Sequence, residues 1–484
     1  MGAVPDTKDI SVTLDLALRV GEVLLSSGAG AADVTATMLS VTTACGLRNC
    51  EVDVTFTALT LGYQPGPETV SHTQIRAVRF RATDYSNLTA VEHLVRALVD
   101  GEINRDDARA QLVAISSARH RYPRWAVTLG WGLMAVGVSL FIGGDWKVSV
   151  IAFAVAVTID LLNRTMSRRR VPTFYQQVAG GLVATLVAVA AVAAHLQVDP
   201  SRVVTVGIIM LLAGIAFVGA VQDALTSFYV TSGARGLEAL LLTGGIIAGV
   251  SGGLAVADRA GVTVVFTPVS ATWNDLPTAL IGSALTASAF AFSSYAPVRA
   301  LGPIALVGVL GQLVYRFIVL QGFGIAWASA IAAVAIGAVA YSLSGRFRVP
   351  SLVVVVSGIT PLLPGLSIYK GLYLMTRGVN GGLVSLATAL AIAIALAAGV
   401  ILGEYLAQPL KREARRLEQR LAGPRLVGPW RPRSPRRVRR ERSSRRGRDR
   451  QPGASRQSAH DDRNAPAERA DDDPAARDAR RGAS

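Results

Sequence analysis

Two hydrophobic rhythms divide the chain near Arg124. Up to that point apolar residues recur at spacings of three and four or alternate with polar ones; beyond it they run together. Leu14, Leu16, Leu18, Val20, Val23, Leu24 and Leu25 predict a first helix that stops near Gly28. Asp33 opens and caps a second, whose buried side carries Val34, Met38, Leu39 and Val41. Glu51 to Leu61 alternates through Val52, Val54 and Phe56 and predicts one strand. Its partner is Val70 to Phe80, across a turn at Pro65-Gly66-Pro67. Leu88 to Val99 and Asn104 to Ser117 return to helical spacing. Residues 1–124 are therefore expected to form a small cytoplasmic α+β domain of order ααββαα.

From Trp125 to Leu406 the apolar runs are each about 17–25 residues long, the length that crosses a hydrocarbon core of about 30 Å. They predict ten spans at 125–142, 147–163, 178–196, 202–222, 236–257, 277–293, 300–320, 323–342, 350–374 and 382–405. Arg164, Arg168, Arg169 and Arg170 follow the second span, Arg235 precedes the fifth, Arg299 follows the sixth, and Arg346 and Arg348 follow the eighth. Positive loops stay in the cytoplasm, so both termini are expected there, with Arg377 a counterexample. The expected fold class is an α-helical polytopic membrane protein. Its first five-helix repeat covers 125–257, and its second covers 258–406 with an external loop at 258–276. Five is an odd number, so the second half enters the membrane from the opposite side and the two repeats are inverted.

Composition agrees with this reading. The 484 residues are 51% hydrophobic and only 17% charged, whereas a soluble chain carries about 25% charged residues. The net charge of +16 does not argue for a nucleic-acid partner, because residues 411–484 hold 23 Lys/Arg and 11 Asp/Glu. Residues 407–484 are expected to be a disordered, Arg-rich cytoplasmic tail, too polar to bury a core. Cys45 and Cys50 lack the two-residue gap of redox or zinc pairs and read as reduced thiols. Met1 to Asp9 is polar and acidic, unlike a cleavable signal segment.

Candidate chemistry lies in a segment that occurs twice. Gly207-Ile208-Ile209-Met210-Leu211-Leu212-Ala213-Gly214 recurs as Gly358-Ile359-Thr360-Pro361-Leu362-Leu363-Pro364-Gly365, each copy inside an apolar run. Pro361 and Pro364 donate no backbone hydrogen bond, and Gly365 loosens the chain further. Broken membrane helices of this kind mark substrate sites in transporters: a half-helix amino end favours a carboxylate, and unwound carbonyls favour a cation or ammonium. The plain alternative is a proline kink. The first copy has Met210 and Ala213 in place of the prolines. Ionisable residues inside spans are costly and point to function. Asp223, after the first break, is the candidate proton-coupling carboxylate, and Tyr369 and Lys370, after the second, are candidates for a substrate carboxylate or hydroxyl. Asp160, Glu238, Arg316 and Glu404 lie nearer the span ends, where snorkelling accounts for them. The substrate-binding set is thus Gly214, Asp223, Pro361, Pro364, Gly365, Tyr369 and Lys370. No nucleophile elbow, phosphate loop or metal spacing is visible, so a tethered hydrolase-like amino domain is the weaker alternative.

The chain resembles the threonine/serine exporter family over residues 14–406. The resemblance rests on Arg19-Val20-Gly21-Glu22-Val23-Leu24-Leu25-Ser26-Ser27-Gly28-Ala29, Asp33-Val34, Met38 and Val52-Asp53-Val54-Thr55. It continues through Gly214, Asp223, Arg235-Gly236-Leu237-Glu238-Ala239 and Pro361-Leu362-Leu363-Pro364-Gly365. It implies a secondary transporter of the cell membrane, not an enzyme. The expected activity is export of threonine, serine or similar small amino acids by proton antiport, with the proton motive force in place of a cofactor. Expected partners besides substrate and protons are anionic lipids at the Arg-rich tail and further copies of the chain, with no specific nucleic acid.

Overall fold

A computed structural model describes residues 6–421 except 67, 79–82, 119, 212, 263–272, 377 and 380. The tail beyond Leu421 and most of the loop expected at 258–276 lie outside the described residues. Residues up to Leu421 form one compact unit.

The amino domain begins with α1 (Thr7–Ser26) and α2 (Ala31–Ala44). A three-stranded antiparallel sheet follows, β1 (Cys50–Val54), β2 (Ala58–Tyr63) and β3 (His72–Ala77), and then α3 (Tyr85–Val99) and α4 (Arg105–Ser117). Leu14, Val20, Met38, Leu59 and Leu61 are fully buried between the helices and one face of the sheet. The single strand expected over 51–61 is two strands. Thr55 turns the chain with its own hydroxyl, which accepts from Ala58 N (3.1 Å), while Thr55 N donates to Ala58 O (2.9 Å). A threonine can close a turn without glycine or proline, so the alternation continues through the reversal and hides it. Cys50 then pairs with Tyr63 and Val54 with Leu59.

Ten apolar segments follow. Eight are single helices: α5 (Arg124–Phe141), α6 (Trp146–Arg168), α7 (Thr173–Ala193), α10 (Tyr229–Arg259), α11 (Leu276–Ser293), α12 (Val298–Leu320), α13 (Ile325–Phe347) and α16 (Gly381–Leu421). Two are bent pairs. α8 (Pro200–Met210) meets α9 (Ala213–Leu225) at 46°, and α14 (Ser351–Ile359) with a short 3-10 turn (Thr360–Leu362) meets α15 (Gly365–Thr376) at 43°. By length and composition the chain therefore has eight membrane-crossing helices, or ten if each bent pair is one span. α16 runs on to Leu421, so the segment assigned to the tail from residue 407 begins as helix.

Glycine sets the closest crossings. A methyl group on Gly249 would fall 2.1 Å from Val178 O, which holds α10 against α7; one on Gly403 would fall 2.3 Å from Val334 O, which holds α16 against α13. Gly137 and Gly282 bring α5 and α11 together in the same way, with Gly282 modified meeting Phe141 N at 2.5 Å. Small residues permit such backbone approach where lipid supplies no hydrophobic drive. Most neighbour pairs of the first five segments have counterparts in the second five: α5 with α6 and α11 with α12, α7 with α10 and α13 with α16, α9 with α10 and α15 with α16. The two bent segments run in opposite senses relative to the amino domain. α9 ends against the domain, whereas α14 starts beside it.

Candidate functional site

The second break is built by its prolines. Pro361 and Pro364 withhold the donors that the carbonyls of Ser357 and Thr360 would meet in a regular helix. The chain tightens instead: Thr360 N donates to Ser357 O, and Leu363 N donates to Thr360 O at 3.3 Å. A 3-10 turn thus satisfies carbonyls that the sequence left open to a ligand. Gly365 begins α15 against Ile209 of α8, where a methyl group would fall 2.2 Å from Ile209 Cγ1. The two copies of the repeated segment therefore touch. Gly214, the last residue of the first copy, lies in the first turn of α9.

A cavity of about 280 Å³ opens beneath this break, on the side away from the amino domain. Its wall includes Pro361, Pro364 and Lys370 together with Gln312, Arg316 and Ser329. Gln312 and Arg316 are buried, 3% and 4% exposed, one turn apart on α12. Tyr369 does not line this cavity. It is fully buried on another face of α15, where its hydroxyl interacts with Ser201 at the start of α8. Helical geometry forces the separation, since adjacent residues point about 100° apart. Two further cavities lie on the domain side, of about 290 Å³ and 410 Å³. Both reach Ile359, two residues before Pro361, so the break stands between them and the distal cavity.

Asp223 lies elsewhere. Its side chain is fully buried at the carboxyl end of α9 and pairs with Arg235 of α10 at 3.0 Å. Its Oδ1 accepts from Ala31 N at 2.9 Å, and Arg235 Nη2 donates to Ala29 O at 3.3 Å. Asp33 was expected to cap α2, yet the helix starts at Ala31 with no side-chain cap of its own. A carboxylate distant in sequence fills that role, where orphan amides and the helix dipole favour negative charge. The turn at Ser27–Gly30 can present those groups because Gly28 takes φ +96°, which a side chain would strain. The docking extends outward: Thr231 donates to Val54 O at 2.7 Å, Tyr85 N to Ser294 O at 2.9 Å, and Tyr122 to Ala296 O at 2.9 Å.

The 290 Å³ domain-side cavity is lined by Asp33, Glu92, Gln222 and Glu404. Burial, and then the charge of Asp223, raise the Asp33 pKa above its ordinary value. Burial likewise raises Glu92, with Arg96 opposing. The 410 Å³ cavity joins Ser26 and Ser27 to Arg235 and Glu238. Asp160 is neutralised within its own helix, by Arg164 at 2.8 Å, and accepts from Thr128 at 2.8 Å.

Of the expected site residues, Pro361, Pro364 and Lys370 share one cavity, Gly365 packs beside it, and Asp223 belongs to the domain contact. Gln312 and Arg316 were not among them. The available signal was an arginine one turn after a glutamine inside an apolar span, and its position late in the span favoured a snorkelling side chain.

Two family models for the threonine/serine exporter match the chain, over residues 15–257 and 279–406. A Mycobacterium tuberculosis protein named "Probable threonine/serine exporter" is 37% identical over 385 residues, covering 78% of this chain and 73% of its own. A Corynebacterium glutamicum protein named "Threonine/serine exporter" is 36% identical over 396 residues, covering 79% of this chain and 81% of its own. No solved structure matches the chain.

Proposed function

The chain belongs to the threonine/serine exporter family, and from that premise we propose that it is a secondary transporter that moves threonine, serine or similar small hydroxylated amino acids out of the cytoplasm. It is a multi-pass membrane protein. The observation that carries the proposal is the contact of Gly365 with Ile209. Two bent segments meet there, and the prolines of the second divide a distal cavity from the domain-side cavities. A solute bound at such a divide can be reached from one side at a time if the bent segments rock against their neighbours. The matched helix pairs of the two halves, and the opposite senses of α8–α9 and α14–α15, support two five-helix repeats of inverted topology. With the amino domain in the cytoplasm, the Arg316 cavity faces outward.

Proton antiport is part of the same proposal. Asp223 remains the candidate for coupling, in a different manner from a carboxylate that meets substrate directly. Protonation would release Arg235 and the α2 amino end together, so the proton would act on the domain contact. The tethered-enzyme reading draws no support from the relatives, both of which are named exporters.

The test is efflux from cells preloaded with a threonine dipeptide, with and without the protein and a protonophore. Faster efflux that collapses with the proton gradient is expected. No added efflux from protein present in the membrane would overturn the proposal. Wild-type rates in Asp223→Asn, at equal abundance, would remove Asp223 from coupling.

A further inference from the structure

Among the described residues Arg316 is a buried cation to which no counter-charge is paired. Among the described residues no carboxylate forms a salt bridge with it, and its buried Nη1 makes no hydrogen bond. The other buried arginine of the membrane segments, Arg235, has Asp223 at 3.0 Å. A buried guanidinium with no counter-charge is unfavourable, and one that lines a cavity within a membrane segment marks a place where an anion is received. The surroundings suit one. None of the described residues that line the cavity is Asp or Glu, and Lys370 adds a second positive charge. Gln312 places an amide beside the guanidinium. Ser329 commits its proton to Ile325 O at 2.8 Å and so presents its oxygen as an acceptor. Ile209, Leu362 and Pro361 close the cavity with apolar surface.

We propose that this distal cavity is a substrate subsite in which the Arg316 guanidinium takes the α-carboxylate of the transported amino acid, with Ser329 Oγ accepting from its ammonium or hydroxyl. The inference rests on the exporter reading above. A guanidinium fork fits a carboxylate through two parallel hydrogen bonds, which lysine cannot reproduce. The cavity volume, near the lower end of the roughly 300–1,000 Å³ common for ligand pockets, suits a small solute.

The experiment is calorimetric titration of the full chain in lipid nanodiscs with threonine and with threonine amide, which lacks the carboxylate, alongside the efflux assay. Wild type is expected to prefer threonine. Arg316→Gln should weaken threonine binding by about 10–100-fold, the worth of a charge-assisted pair, and leave threonine and its amide alike. Arg316→Met should melt no lower than wild type, because it removes an uncompensated charge, whereas loss of a purely structural arginine would lower the melt. Should Arg316→Gln fail to reach the membrane, Arg316→Lys reads the same preference: a reduced preference supports the assignment, and an unchanged one overturns it. Efflux by wild type together with full preference for threonine in Arg316→Gln, or with no preference in wild type, overturns the assignment and leaves the exporter reading standing. Absence of efflux from wild type overturns the exporter reading and the assignment with it.

Discussion

Replacing Gly365 by alanine tests whether the two bent segments share one packed junction. The added methyl would sit 2.2 Å from Ile209 Cγ1, 3.2 Å from Cδ1 and 3.4 Å from Cβ. Ordinary carbon contacts lie near 3.5–4.0 Å, so Ile209 must shift by more than an ångström. It is 6% exposed, and Ile is stiff at its branched carbon. Overpacking of this kind costs about 1–3 kcal/mol, with little returned by helix propensity at the first residue of α15. Ile209→Ala removes Cγ1 and Cδ1, the two nearest atoms, and leaves Cβ at an ordinary 3.4 Å, so the double variant relieves the clash with the new methyl. Alone, Ile209→Ala costs about 2–5 kcal/mol as a cavity. Combined, the two should be less destabilising than their sum by about 1–3 kcal/mol, a coupling that a double-mutant cycle resolves. The assay is unfolding of the purified full chain with all four variants compared. A neutral Gly365→Ala, or strict additivity, would refute the junction. Efflux measured on the same variants should follow the coupling, since the proposed transport needs the two breaks in register.

Asp223→Asn leaves Arg235 buried and unpaired and should destabilise the domain contact by roughly 3–5 kcal/mol; hydrogen exchange at Ala31 should rise, and Arg235→Gln added to it should recover part of the loss. Thr231→Val strands the Val54 carbonyl and should cost about 1–3 kcal/mol, read as a lower melting temperature at unchanged membrane abundance. Because burial and Asp223 raise Asp33 in the folded state, the folded form holds that proton more tightly than the unfolded form. The resulting penalty is present above the raised value and is lost as pH falls through it toward the ordinary carboxylate value. Asp33→Asn should therefore melt higher than wild type at pH 7, with the advantage vanishing in acid. Burial raises the thiols of Cys45 and Cys50, so maleimide labelling at neutral pH should be slow and should accelerate when the chain is unfolded.

The membrane half was legible because its physics is one-dimensional. Lipid demands a continuous apolar run of set length, and each expected span coincides with a helix or a bent pair. Prolines at 361 and 364 likewise announce a break wherever the helix lies, since the missing donors are covalent facts. The amino domain was legible in its helices and less so in its sheet: the Thr55 reversal left the alternation intact, and a hydroxyl-closed turn carries no glycine or proline to betray it.

Sequence by itself determined the number of apolar segments, the duplicated break and the family, because hydrophobic length, backbone chemistry and motif order all act along the chain. It could not assign partners to charges. Asp33 stands at the position of a helix cap, yet Asp223, 192 residues from Ala31 in the chain, supplies the hydrogen bond. Arg316, at a span end, has the appearance of a snorkelling side chain, yet it is buried with the second break beside it. Lys370 and Tyr369 are neighbours in sequence, yet one lines the distal cavity and the other is packed into the core. An ionisable group takes its role from whatever lies within a few ångströms, and only the packing of helices through their glycine crossings decides what that is.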